Sequence, residues 1–395
     1  MSLDALRGFD MFWILGGDAL VHALAAVAAV APVTLLARQF EHKEWAGFAF
    51  YDLIFPLFVF VSGVSMVFSL TRTIEQHGRA RAVQRVLVRT AVLVAVGIFY
   101  SGGLSNPWPD VRLLGVLQRI GLAYGGAGLL FCFFKPRALA AWAVVLLVGY
   151  WAMMTWVPIR DVTLEVKTMT AQLGTAGKPP PTERVRAHVE ATTARVTGRY
   201  EAGLNVANHF DFQHLPGRKY DTYFDPEGIL STLPAVVTCL LGVFAGLLLR
   251  RPDLGDRQKL VQLVGAGVLA LGVGWWWHLH FPAVKKIWTS SFVLVAGGWS
   301  FLLLALFYYV VDVRRWRGWV APFVWIGMNS ITLYVLANLM RPRAVAQRFA
   351  GGSVKEWLDA HVAVGMGNFV IALIGALLVV LVARFLFRRQ IFLRL

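Results

Sequence analysis

Apolar residues fall in ten long runs separated by short polar segments, at roughly 9–31, 47–70, 86–101, 112–134, 138–157, 227–249, 260–280, 288–311, 319–340 and 363–386. A run of about 20 residues can cross the ~30 Å hydrocarbon core of a bilayer as a helix. The third is the shortest. The pattern predicts an all-α, polytopic integral membrane protein of about ten transmembrane helices, forming a single domain over residues 1–395. Arg7 precedes an apolar stretch that simply continues, with no cleavable signal pattern, so the first span is expected to stay as an anchor. Only the segment 158–226 reads as soluble sequence. Its middle, Thr168 to Thr182, is rich in Thr, Ala, Gly and Pro and predicts a flexible loop stiffened at Lys178-Pro179-Pro180-Pro181. Glu183 to Tyr200 predicts a short helix. No internal repeat of the kind that builds two-fold transporters is visible.

Composition strengthens this picture. Of 395 residues, 57% are hydrophobic and 15% charged, against about a quarter charged in ordinary soluble domains. A soluble fold of this size could not hide so much apolar surface. A soluble enzyme, a disordered scaffold and a nucleic-acid binder are thereby excluded as first readings. The two cysteines, Cys132 and Cys239, both sit inside apolar runs, so no disulfide framework is available.

The net charge of +16 is explained by where the basic residues lie. With the N-terminus inside, alternate segments collect 19 of the 38 Lys and Arg, from Arg7 through Arg72–Arg89 and Arg250–Lys259 to Arg384–Arg394. The short segments opposite hold nine. The positive-inside rule then places both termini in the cytoplasm and the long 158–226 loop outside, periplasmic in a multi-pass protein of a bacterial inner membrane. The basic edges suit a bilayer with anionic lipid rather than nucleic acid.

Ionisable groups within spans are expensive and point to function. Asp10, Asp18 and His22 share one face of the first span. Asp18 lies deep, about 16 Å from Arg7 at ~1.5 Å per residue. It is read either as a cavity residue or as a partner for Arg119 or His22. His42 precedes the second span at the outer mouth, and Asp52 follows, four residues before a helix-opening Pro56. Gln118 and Arg119 sit inside the fourth span, where the guanidinium needs a protein carboxylate or a ligand phosphate. Asp225-Pro226-Glu227 reads as an ordinary helix start, or as acids drawing a cationic substrate. Lys285 opens the eighth span, and Asn329 lies in the ninth. No zinc spacing, Walker loop or dinucleotide fingerprint occurs, so no metal is expected. Gly63-Val64-Ser65-Met66 lacks the final glycine of a nucleophile elbow.

Six stretches occur in a telling order: Ser2-Leu3-Asp4-Ala5-Leu6-Arg7-Gly8, His42-Lys43-Glu44-Trp45-Ala46-Gly47, Asp52-Leu53-Ile54-Phe55-Pro56, Gly115-Val116-Leu117-Gln118-Arg119-Ile120-Gly121, Asp225-Pro226-Glu227-Gly228-Ile229-Leu230 and Gly327-Met328-Asn329-Ser330. Together they resemble the heparan-α-glucosaminide N-acetyltransferase family, in its bacterial branch, over nearly the whole chain. The resemblance implies transfer of acetyl from cytoplasmic acetyl-CoA to the amine of a glucosamine-type sugar across the membrane. It implies that His42 is catalytic. It implies that Asp18 is also catalytic, assisting His42 where the family has an asparagine, with about a dozen extra residues between Asp18 and His42. In this frame Asp52, Asp225, Glu227 and Trp45 are candidates for the amino sugar. Gln118, Arg119, Lys285 and Asn329 are candidates for the acetyl-CoA donor. The partners expected are a glycan or amino sugar and the lipid bilayer; a homodimer is left open. An O-acyltransferase of envelope glycans and a sugar-conjugate transporter are the alternatives.

Overall fold

The computed structural model describes residues 1–28, 30–175 and 177–392. Arg394, one of the inside charges counted above, lies outside them. The expected spans are recovered as helices α1 (Ser2–Val27), α3 (Phe50–Tyr100), α4 (Val116–Phe133), α5 (Pro136–Trp156), α9 (Thr232–Leu249), α10 (Asp256–His278), α11 (Ser290–Val313), the broken pair α12 (Ala321–Met328) and α13 (Ser330–Met340), and α16 (Met366–Arg388). A short helix, α2 (Ala31–Gln39), fills the stretch between α1 and His42.

The second and third expected spans form one helical run, α3, which reverses at Gly78. That residue has φ 81°, in the left-handed region where only glycine is comfortable. Arg85 donates to Thr73 Oγ1 at 3.1 Å, although a straight helix would set these residues about 18 Å apart. Met66 and Val86 likewise both border Gly128 of α4. Counting the two limbs of α3 separately, and α12–α13 as one span bent by 84°, gives ten candidate crossings among the described residues. The first limb is the spine. At Gly63 and at Gly242 of α9 a side chain would strike the backbone of the facing helix at Cys239 and Phe60, so close helix approach fixes both positions. Around that crossing lie the fully buried Val59, Val61, Val64, Leu240 and Val243.

Residues 158–226 correct the sequence reading. The stretch expected to be a flexible loop carries helix α6 (Val166–Leu173) into it; the short helix expected at Glu183–Tyr200 forms as α7 (Thr182–Ala191) but gives way to strand before Tyr200, and α8 (Val206–His214) follows. A two-strand antiparallel ribbon, β1 (Ile159–Arg160) with β2 (Arg195–Val196), closes the base. Val162, Leu164, Met169, Val185, Phe212 and Tyr223 form a small apolar core, and the Tyr223 hydroxyl donates to Pro180 O at 2.8 Å. The polar composition hid the spaced apolar residues that fold this cap. The start of the sixth span is also corrected. Asp225 is no N-cap: α9 begins at Thr232, and Asp225–Glu227 form a turn committed to Arg112. Two more short helices, α14 (Pro342–Ala350) and α15 (Ser353–His361), join α13 to α16.

Candidate functional site

A cavity of about 470 Å³ opens among the connections on the face that carries the cap. His42, Lys43, Arg112, Glu227, Lys285 and Lys286 form its polar rim, and Met11, Phe58, Ile120, Ile331 and Tyr334 carry it down between the spans. Its size and mixed lining are those of a small-molecule site.

One wall is built where the chain enters α3. Asp52 sits in the helix's first turn and is buried. Its Oδ2 accepts from the backbone of Ala49 at 3.1 Å and of Lys43 at 3.3 Å, satisfying amides that a helix start leaves orphaned. Its Oδ1 lies 2.9 Å from His42 Nδ1 and 3.4 Å from Lys285 Nζ. A carboxylate can only accept here, so Nδ1 carries the proton and Nε2 keeps its lone pair. The His42 side chain is 52% exposed while that of Asp52 is 1% exposed: a buried acid orients an accessible imidazole. The segment before α3 is strapped to the α10–α11 connection by an Ala46–Val284 bridge, with Gly47 N donating to Ala283 O at 2.9 Å. This strap brings Lys285 Nζ to 3.0 Å from His42 Nδ1. Burial pushes the Lys285 ammonium below its usual range, against the pull of Asp52.

Asp18 reaches this wall through an intermediary. The Tyr51 hydroxyl donates to Asp18 Oδ2 at 3.1 Å, and the Tyr51 ring stacks on His42 at 4.7 Å between centroids. The expected alternatives for Asp18 do not form: His22 contacts Phe40 O instead, and Arg119 lies elsewhere. Asp10 is fully buried, and both of its oxygens lack a hydrogen-bond partner.

The other wall is a clamp. Arg112 grips Asp225 through Nε at 3.0 Å and Nη2 at 2.8 Å, and Nη2 also reaches Glu227 at 2.8 Å. Asp225 further accepts from the backbone of Tyr220 and Glu227. The Tyr220 ring lies 5.1 Å from the guanidinium. Burial pushes the Glu227 carboxyl up to about 7; Arg119 and Arg112 pull it down and Asp225 adds to the rise.

The remaining candidates stand behind the cavity. Arg119 is buried, bonds to Ser231 and to Gly228 O, and lies 5.0 Å from the Trp288 ring, which itself lines the cavity. Among the described residues no carboxylate pairs with it directly, although Glu227 and Asp225 are near enough to feel its charge, and its Nε and Nη1 have no partner. Gln118 packs against Gly97 and Gly115. Asn329 is buried at the α12–α13 break with both amide atoms unpaired. Trp45 donates to Tyr200 O at 2.7 Å and ties the cap to the bundle. Arg112, Tyr51, Tyr220 and Lys286 were not singled out from sequence. Only part of the signal for Arg112 was available: two acids at Asp225 and Glu227 call for a cation, but Arg112 is one of nine in the short segments on the cap side.

Residues 1–176 match the family model described as "Heparan-alpha-glucosaminide N-acetyltransferase, catalytic". The chain is similar to two heparan-α-glucosaminide N-acetyltransferases. The human and mouse proteins of that name are each 28% identical to it, over 334 and 336 residues and 75% of this chain. The chain spans about half the length of these relatives, 48% in each case. The part matched by the family model carries Asp18, His42, Asp52, Arg112 and Arg119; Glu227, Lys285 and Asn329 lie beyond it.

Proposed function

We propose that this chain is a transmembrane N-acetyltransferase, using cytoplasmic acetyl-CoA to acetylate a glucosamine-type amine on the cap side, the periplasm. The observation that carries the reading is the His42–Asp52 pair, an accessible imidazole held by a buried carboxylate at the mouth of a cavity. Aminolysis of a thioester needs a neutral amine. A bound ammonium first loses one proton to solvent, and His42 Nε2 then takes the proton that the attacking nitrogen sheds as it bonds to the carbonyl carbon. The C–N bond forms, the C–S bond breaks, and the proton passes to the departing thiolate. Asp52 keeps the imidazole in the tautomer with Nε2 free and stabilises the imidazolium formed. Lys285, beside the same carboxylate, is the nearest cation to the charge that develops on the carbonyl oxygen. Asp18 supports Tyr51, which packs the imidazole face. In the second route compatible with these groups, Nε2 itself attacks the thioester and holds acetyl before the amine arrives.

His42→Ala is expected to lower acetyl transfer to glucosamine by roughly 10²-fold or more, about 2.7 kcal/mol of barrier, with the fold intact. A folded variant within about threefold of the parent rate, too small a loss for general-base catalysis, would overturn the reading. Incubation with radiolabelled acetyl-CoA and no acceptor separates the routes: label retained on the parent but absent from His42→Ala marks the acetyl-histidine path. For orientation, a cysteine at Thr175 in the cap is expected to react with an impermeant reagent in intact spheroplasts, while one at Gln76 stays protected. The reverse pattern inverts the proposed direction of transfer.

A further inference from the structure

A second cavity, of about 360 Å³, shares Ile14 and Tyr334 with the first. It runs between α1 and α16, with Gly16 and Ala19 on one side and Gly375 and Ala376 on the other. These glycines do not serve close helix contact as Gly63 does. Gly16 lies in a π-helical turn of α1 with φ 128°, and a side chain there would meet nothing within 4 Å. The nearest atoms to a Cβ on Gly375 would be backbone of Pro342 and Arg343, at an ordinary contact distance of 3.8–3.9 Å. The small residues therefore border open space.

At the rim of this space stands Arg343 of α14. Its guanidinium has no ion pair or hydrogen bond among the described residues, and the same holds for the side chains of Arg341 and Arg348. Neighbouring Leu339 and Phe349 are 61% and 68% exposed, an apolar surface suited to lipid. Uncompensated arginines at the level where a bilayer places its phosphates complement an anionic headgroup.

We propose that the second cavity is a lateral entrance for an acceptor carried on a lipid phosphate. The hydrocarbon chain lies along Gly16 and Gly375, the phosphate meets Arg343, and the amino sugar passes Tyr334 and Ile14 into the first cavity. This rests on the acetyltransferase reading and adds the substrate class, an amino sugar joined through phosphate to a membrane lipid.

The test compares a synthetic glucosaminyl phosphoryl lipid with free glucosamine, using the full chain in lipid nanodiscs. The parent is expected to show a KM for the lipid acceptor at least about tenfold below that for glucosamine. Gly375→Leu, which fills the cavity, and Arg343→Gln, a surface change that leaves the core intact, should each raise the lipid acceptor's KM about tenfold. Both should leave kcat/KM for glucosamine within about twofold. A diazirine-bearing phosphoryl lipid should crosslink to 366–388, and the glucosaminyl lipid should displace it where equal phosphatidylglycerol does not. Equal displacement by phosphatidylglycerol, no KM advantage for the lipid acceptor, or an equal loss on both acceptors in Arg343→Gln overturns the entrance. A parent that acetylates neither acceptor while the selective displacement persists sinks the acetyltransferase reading instead.

Discussion

The cavity has two carboxylate-bearing walls, and they do opposite things with the same residue type. Asp52 and Asp225 are equally buried, and each is saturated by backbone amides and a cationic or imidazole partner. The partners differ. Asp52 holds a half-exposed His42 by one nitrogen and leaves the other facing away from the carboxylate, 3.4 Å from Lys285 Nζ. Asp225 holds a largely buried Arg112 in a two-pronged grip, with Glu227 as a third contact. A guanidinium so held cannot give up a proton and has a fixed plane. An imidazole can shuttle one at neutral pH. The first wall therefore offers acid–base chemistry, and the second fixes the shape of the mouth and ties the cap turn to the bundle. A buried carboxylate in a membrane protein does not by itself mark a reaction centre; the group it orients decides.

Breaking the clamp should produce the largest effect on stability. Arg112→Ala leaves Asp225 buried and uncompensated, a loss of about 3 kcal/mol, seen as a lower unfolding midpoint in detergent. Arg112→Lys should recover only part of it, because an ammonium cannot fill both oxygens in the fork geometry. An unchanged midpoint in Arg112→Ala would mean that water replaces the guanidinium and that the wall is no clamp.

The equivalent change on the first wall should reverse the pattern. Asp52→Asn keeps the size and one acceptor for the helix-start amides, but no longer fixes the His42 tautomer or balances an imidazolium. The expected result is a fall in kcat of about tenfold or more, near 1.4 kcal/mol of barrier, with a smaller shift in unfolding midpoint than Arg112→Ala. If Asp52→Asn unfolds as readily as Arg112→Ala and the folded fraction keeps its full kcat, Asp52 is a second clamp and the contrast between the walls disappears.

How far the sequence carried each wall follows from physical range. Ten crossings were legible because span length and hydropathy are local properties. The reversal inside α3 was legible as a gap between runs, but not the continuous helix up to Gly78. His42 and Asp52 were each legible as site candidates, but Asp52 was assigned to the amino sugar, because which group a helix-start acid orients depends on how the preceding segment folds back. Lys285 stood out as an interface cation, yet its place beside His42 depends on the Ala46–Val284 strap, a pairing across more than 200 positions that no local pattern records. Arg112 was counted only as an outside charge, since its acids lie 113 and 115 residues away. The cap failed as a loop for a related reason. Val162, Met169, Val185 and Phe212 are too scattered among polar residues to look like a core until the ribbon and three helices bring them together.

The smallest expected effect concerns Glu227, the clamp carboxylate that lines the cavity. Its carboxyl is pushed up to about 7 from an ordinary 4.5, chiefly by burial. The sign follows from linkage: the folded protein favours the protonated acid, so Glu227 lowers stability as pH climbs from about 5 to 7 and changes nothing further above that. Over the same interval the carboxylate appears in the cavity, where it attracts a substrate ammonium. The KM for an amino sugar should therefore fall by about threefold as pH rises through 7, the size of a solvent-accessible ion pair. Glu227→Gln cannot ionise and should show a flatter KM profile, while its unfolding midpoint should gain on the parent's between pH 5 and 7. Parallel profiles for parent and variant would assign Glu227 wholly to the clamp and remove it from substrate binding.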